Sequence, residues 1–100
     1  MAVPYDFSAT LWLHVGEAAW YFVTLPEHLA DEIEYLTAGN RRGFGSVRVE
    51  VTIGATTWRT SIFPDTNAKS YLLPVKKAVR TSENISDGDV VSVTLAVLDT

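Results

Sequence analysis

The chain has 100 residues, 47% hydrophobic and 20% charged, with no cysteine and a net charge of −4. That length suits a single domain over 1–100 with one real core. The composition excludes a disulfide framework, fits a cytoplasmic protein, and sets the charge balance against nucleic-acid phosphate and anionic lipid as partners. No apolar run approaches the ~20 residues of a membrane span, and MAVPYDFSA shows no signal-peptide pattern.

Residues 5–15 alternate, with Phe7, Ala9, Leu11, Leu13 and Val15 on one face and Asp6, Ser8, Thr10, Trp12 and His14 on the other. A period of two predicts a half-buried strand. Gly16-Glu17 predicts a tight hairpin turn into a second strand over 19–25, rich in aromatic and β-branched residues. Pro26 lacks the N–H a ladder needs and suits the first turn of a helix. In that helix Leu29, Ile33 and Leu36 form one stripe, and Gly39 is placed as the C-terminal cap. NRRGFG (40–45) reads as a loop and SVRVEVTI (46–53) as a third, alternating strand. Gly54-Ala55 turns the chain into a strand over 56–63. Residues 64–67 read as a loop and 69–73 as a short strand. Pro74 repeats the Pro26 device before a short helix, VKKAVR, with Val75, Ala78 and Val79 on one side. TSENISDG is a loop, and 89–99 a last strand with Val91, Val93, Leu95 and Val97 on one face.

The order β-β-α-β therefore occurs twice, about 5–54 and 55–99, with Leu25-Pro26 and Leu73-Pro74 at matching places. Neither copy has enough strands to bury its own apolar face. The expected fold class is mainly β with two short helices: a closed six-stranded barrel of the double-split type, made from two pseudo-symmetric ββαβ units.

The stretch YLLPVKKAVRTSENISDGDVVSVTL resembles the C-terminal signature of a bacterial family known as domain of unknown function nineteen-oh-five. FSATLWLHVGEAAWYFVTLP and SVRVEVTIGATTWRTSIFP agree with it, so the likeness covers about 5–99. It implies a small closed β-barrel; some members carry a further domain resembling the bacteriocin-protection (OmpD-associated) type. A remoter likeness, in the Leu-Pro, helix and Gly-Asp-Val pattern, is to AbrB and MazE. Their barrel is built by two chains, and they bind DNA or a toxin.

Lys76, Lys77 and Arg80 form the most basic cluster, Lys76 and Arg80 being i, i+4 neighbours. With Arg59 and Trp58 they are the candidate ligand site, suited to a phosphate, a carboxylate or an acidic protein. The competing reading is a solvated helix face set against the acidic first helix, with Arg80 holding the Asp87–Asp89 loop. Gly88 and Asp89 read as turn residues, as do Pro26 and Pro74. Trp12 and His14, outward on the first strand, are candidates for contact with a protein partner. Trp20 and Trp58 read first as core aromatics. His14 and His28 lie on different elements without ligand spacing, so neither a metal nor a cofactor is expected. Arg41, Arg42 and Phe44 have the composition of a phosphate-contacting loop, but the hairpin tip at 16–18 carries none of the bases a DNA reader needs.

These residues read as a non-enzymatic binding or accessory module for a small anionic ligand or a protein partner, monomeric or weakly dimeric. The alternatives are an AbrB/MazE-like regulator and a small enzyme with a carboxylate-based site.

Overall fold

The computed structural model describes residues 4–38 and 45–98. In chain order the elements are β1 (Pro4–His14), β2 (Trp20–Thr24), α1 (Glu27–Thr37), β3 (Val47–Ile53), β4 (Thr56–Asp65), β5 (Ser70–Pro74), α2 (Lys77–Glu83) and β6 (Val90–Val97). The strands close into an antiparallel barrel in the order β1-β2-β5-β4-β3-β6. The protein is thus mainly β, with a closed six-stranded barrel and two short helices.

The long strands divide their length between two neighbours. Pro4–Thr10 of β1 pairs with β6, and Leu11–His14 pairs with β2. In β4, Thr56–Ile62 pairs with β3 and Phe63–Asp65 with β5. Each copy's return strand is therefore held by the other copy. Exchanging β1 with β4, β2 with β5 and β3 with β6 leaves the strand order unchanged. The registers obey the same exchange. Val23↔Leu73 lies on its axis, Trp12↔Phe22 matches Phe63↔Leu72, and Val51↔Leu95 matches Ile53↔Val93.

This register moves the two Leu-Pro junctions out of step. Phe22↔Pro74 exchanges with Thr24↔Leu72, so Pro74 is the counterpart of Thr24 and closes β5. Pro26 is the counterpart of Lys76, and these two residues directly precede the helices. What recurs is the corner itself. Leu25 N–H donates to Tyr71 O at 3.0 Å, and Val75 N–H donates to Tyr21 O at 2.9 Å. In each case a buried apolar residue stitches one copy's helix entry to the other copy's strand.

Alternation delivers Leu11, Val23, Val51, Ile62, Leu73 and Leu95 to the barrel interior, all fully buried. Leu29, Ala30 and Ile33 of α1 and Val79 of α2 join that core. Several expectations shift. Leu36 is 52% exposed, and Thr37 is buried instead, its hydroxyl donating to Ile33 O at 2.7 Å. The first hairpin turns over 15–19 rather than at Gly16-Glu17 alone, leaving Val15 77% exposed. Pro64 and Asp65 belong to β4. The β3 ladder ends at Ile62, so a residue without an N–H costs nothing on that side. Ala78 is exposed, and α2 runs on through Glu83. Asn84 ends it in the left-handed region (φ 53°), with Asn84 N–H on Thr81 O and Ile85 N–H on Arg80 O, a Schellman closure. The predicted cap Gly39 lies outside the described residues, as do Arg41, Arg42 and Phe44.

Two glycines are required by position. Gly54, with φ +59°, makes the two-residue β3–β4 turn, and a Cβ there would strike the Glu83 carboxylate. That carboxylate accepts the Thr56 hydroxyl at 2.6 Å and ties the end of α2 to the hairpin. Gly88, with φ +95°, donates its N–H to Leu11 O, and Leu11 N–H donates to Asp89 O. Asp87 Oδ1 accepts Leu13 N–H at 3.0 Å and Asp89 Oδ2 accepts Ser86 N–H at 2.8 Å, so the loop before β6 is sewn along β1.

Tyr5 is 6% exposed, and its hydroxyl has no hydrogen-bond partner among the described residues. Desolvation, helped by the Glu32 carboxylate, raises its pKa above the usual phenol value. The native state therefore holds that proton more tightly than the unfolded chain, and stability falls as pH climbs past about 10. Tyr5→Phe removes an unpaired buried hydroxyl worth about 1–3 kcal/mol in desolvation. The variant should melt no lower than the parent, and should lose less stability between pH 9 and 11; thermal unfolding across that range checks both.

Candidate functional site: a basic groove beside an aromatic face

Up to Ile62 β4 pairs with β3, while the end of β5 stays with β2. The split leaves a groove of about 410 Å³ beneath α2. Trp58, Arg59 and Thr60 of β4 form one side. Trp20 and Tyr21 of β2 form another, and Lys76, Lys77 and Arg80 reach over it from the β5–α2 corner. The residues singled out from sequence as a ligand site, Lys76, Lys77, Arg80, Arg59 and Trp58, all line this one groove. Among the described residues no carboxylate lines it.

The cations are not equivalent. The Arg80 guanidinium lies over the Tyr21 ring, 3.7 Å from its centroid. It does not hold the Asp87–Asp89 loop, whose carboxylates are taken up by backbone N–H groups. Arg59 pairs with Glu50 at 3.2 Å across β3 and β4, on an exposed surface where such a pair contributes little. Lys76 and Lys77 are exposed and make no ion pair among the described residues. Nor does α2 lean chiefly on the acidic helix: it packs on β4, and α1 packs on β5.

The pseudo-twofold provides an internal comparison. The counterparts of Arg59, Lys76, Lys77 and Arg80 are Ser8, Pro26, Glu27 and Ala30. Among the described residues the matching cavity holds one base, Lys69, beside Asp31, Glu34 and Asp65, so cations without a lining carboxylate are gathered at one of the two matching corners.

A second surface adjoins the groove. Outward-facing Trp12, Phe22, Leu72 and Phe63 run in a row across β1, β2, β5 and β4. Trp12 and Phe22 are a cross-strand pair with centroids 5.3 Å apart, and Trp20 stacks on Phe22 at 6.0 Å. Trp12 Nε1 donates to Thr24 Oγ1 at 2.9 Å, and His14 meets the Trp12 ring edge-on at 6.3 Å. These rings line a shallow cleft of about 590 Å³ that ends at Asp65 and Asn67.

Trp12 and His14 thus stand on the outside. Trp20, expected in the core, is 53% exposed; Val23 points inward, so the even-numbered residues of β2 point outward. Trp58 does both jobs, packing against the core and lining the groove. Sequence reasoning missed Phe22, Phe63 and Tyr21. The alternation that placed Trp12 outside also places Trp20 and Phe22 there once the hairpin register is known.

Among the described residues no three His, Asp or Glu side chains gather as a metal site, and no helix is long and apolar enough to cross a membrane. The fold and the groove define a small closed barrel with one corner where four cations gather. The family model described as Domain of unknown function (DUF1905) matches residues 7–95, and the chain belongs to that family. No curated protein matches the chain.

Proposed function

We propose that this protein is a binding module for a small anionic ligand, received in the groove between β4, β2 and α2. The observation that carries the reading is the convergence of four cations and Trp58 from separate stretches of chain on one concave site that, among the described residues, no carboxylate lines. Anion recognition needs charge-assisted hydrogen bonds in a site partly shielded from water. Lys76 and Lys77 are the free donors. Arg80, spread over Tyr21, supplies fixed charge, and Trp58 supplies an apolar floor. The exposed hairpin loop at 15–19 carries no base and the whole chain is acidic, which weighs against a DNA reader.

The test is thermal unfolding with inorganic phosphate, sugar phosphates, dicarboxylates and a short DNA duplex, followed by calorimetric titration of the responder. A ligand at a hundredfold its dissociation constant adds about 2.7 kcal/mol, a rise of several degrees at this size. Lys76→Ala with Lys77→Ala should weaken that ligand by roughly tenfold or more, with the unliganded melting temperature nearly unchanged. Arg80 is left in place because its loss would also remove the stacking on Tyr21. A panel with no response, or one answered by DNA alone, overturns the proposal.

A further inference from the structure

Trp20 is a wall of both cavities, the aromatic cleft and the basic groove. The two therefore form one continuous surface, with cations at the α2 end, exposed rings in the middle and the Asp65 carboxylate at the far end. Trp20 and Phe63 are 53% and 45% exposed, on a sheet face that a soluble barrel has no structural need to make apolar. The matching corner of the other copy lacks this pairing: Ser70, buried, is the counterpart of Trp20, and Pro26, Glu27 and Ala30 replace Lys76, Lys77 and Arg80. The one base among the described residues of its cavity, Lys69, lies among Asp31, Glu34 and Asp65. From this continuity we infer that the ligand is an amphiphilic anion, with one acidic head in the basic groove and a flat apolar body lying over Trp20 towards Phe22 and Phe63. The inference rests on the anion reading of the groove and extends it. Asp65 at the far end repels a second acidic group, which sets the ligand's direction and disfavours a dianion with an acid at each end. Ring-on-ring contact adds affinity that the exposed lysines alone do not supply.

The experiment is calorimetric titration with 1-naphthyl phosphate, 1-naphthoate, inorganic phosphate and uncharged 1-naphthol. One of the two naphthyl anions should bind roughly tenfold or more tighter than both inorganic phosphate and 1-naphthol, and which one identifies the head group. Phe63 lies in the aromatic cleft and not in the basic groove, so Phe63→Ala should reduce that advantage while leaving affinity for inorganic phosphate intact, and Lys76→Ala with Lys77→Ala should weaken every anion. Naphthyl anions that bind no tighter than inorganic phosphate would refute the amphiphile and leave the anion groove standing. If 1-naphthol matches the naphthyl anions and the lysine substitutions change nothing, or if no anion binds, both readings fail. A concentration-dependent dimer in sedimentation, dispersed by Trp20→Ala, would make a second copy the occupant of the face and overturn the inference.

Discussion

Residues 1–54 and 55–100, expressed as separate chains, should each be unfolded at micromolar concentration and should recover the barrel when mixed in equal amounts. The reason is the pairing scheme. Cutting at the Gly54-Ala55 turn leaves the first fragment only the β1–β2 ladder over Leu11–His14, and the second only β4–β5 over Phe63–Asp65. The β1–β6, β3–β4, β3–β6 and β2–β5 ladders all cross between fragments. A lone short hairpin is marginal in water, and β3 or β6 alone has no partner. Two copies of the first fragment would bring together two halves that each hold seven acids against three bases, while the second half holds five of each. Mixed assembly is thus favoured over self-assembly. Circular dichroism and amide NMR of each fragment and of the mixture check this, and cooperative unfolding by either fragment alone would show that the copies are not interdependent.

Leu73→Ala should remove a large part of the total stability. Leu73 is fully buried and pairs with Val23 on the seam where the two copies meet, so the cavity opens at the centre of the barrel. Closed sheets collapse poorly around a void, and Leu→Ala in a tight core costs about 2–5 kcal/mol. Against a total of roughly 5–15 kcal/mol for a domain of this size, that should lower the melting temperature by roughly 10–30 °C. Urea unfolding should show a lower midpoint with an unchanged slope. A loss under ~1 kcal/mol would mean that the β2–β5 seam is not a packed part of the core.

The barrel was legible because its strands alternate cleanly and its two halves repeat the same element order. Val47, Val49, Val51 and Ile53 point inward as their spacing demands. The basic corner was legible as well, because Lys76, Lys77 and Arg80 are near neighbours in sequence. Less was legible at the helix ends. The stop at Asn84 is an uncommon use of a residue that tolerates positive φ, and the burial of Thr37 in place of Leu36 follows from how α1 lies on β5.

By itself the sequence determined the element types, the number of strands, the twofold repetition and the charge of the second helix. These depend on period, turn chemistry and local composition, all properties of contiguous residues. The tertiary structure decided the rest: that the Leu-Pro junctions stand two residues out of step, that Arg80 turns to Tyr21 rather than to Asp87 and Asp89, and that Trp20 is a shared wall between an aromatic face and a basic groove. Each depends on the register between strands distant in sequence. Where both faces of a strand carry large aromatics, as at Trp20 to Phe22, a one-residue slip exchanges core for surface, and only the partner strand fixes which is which.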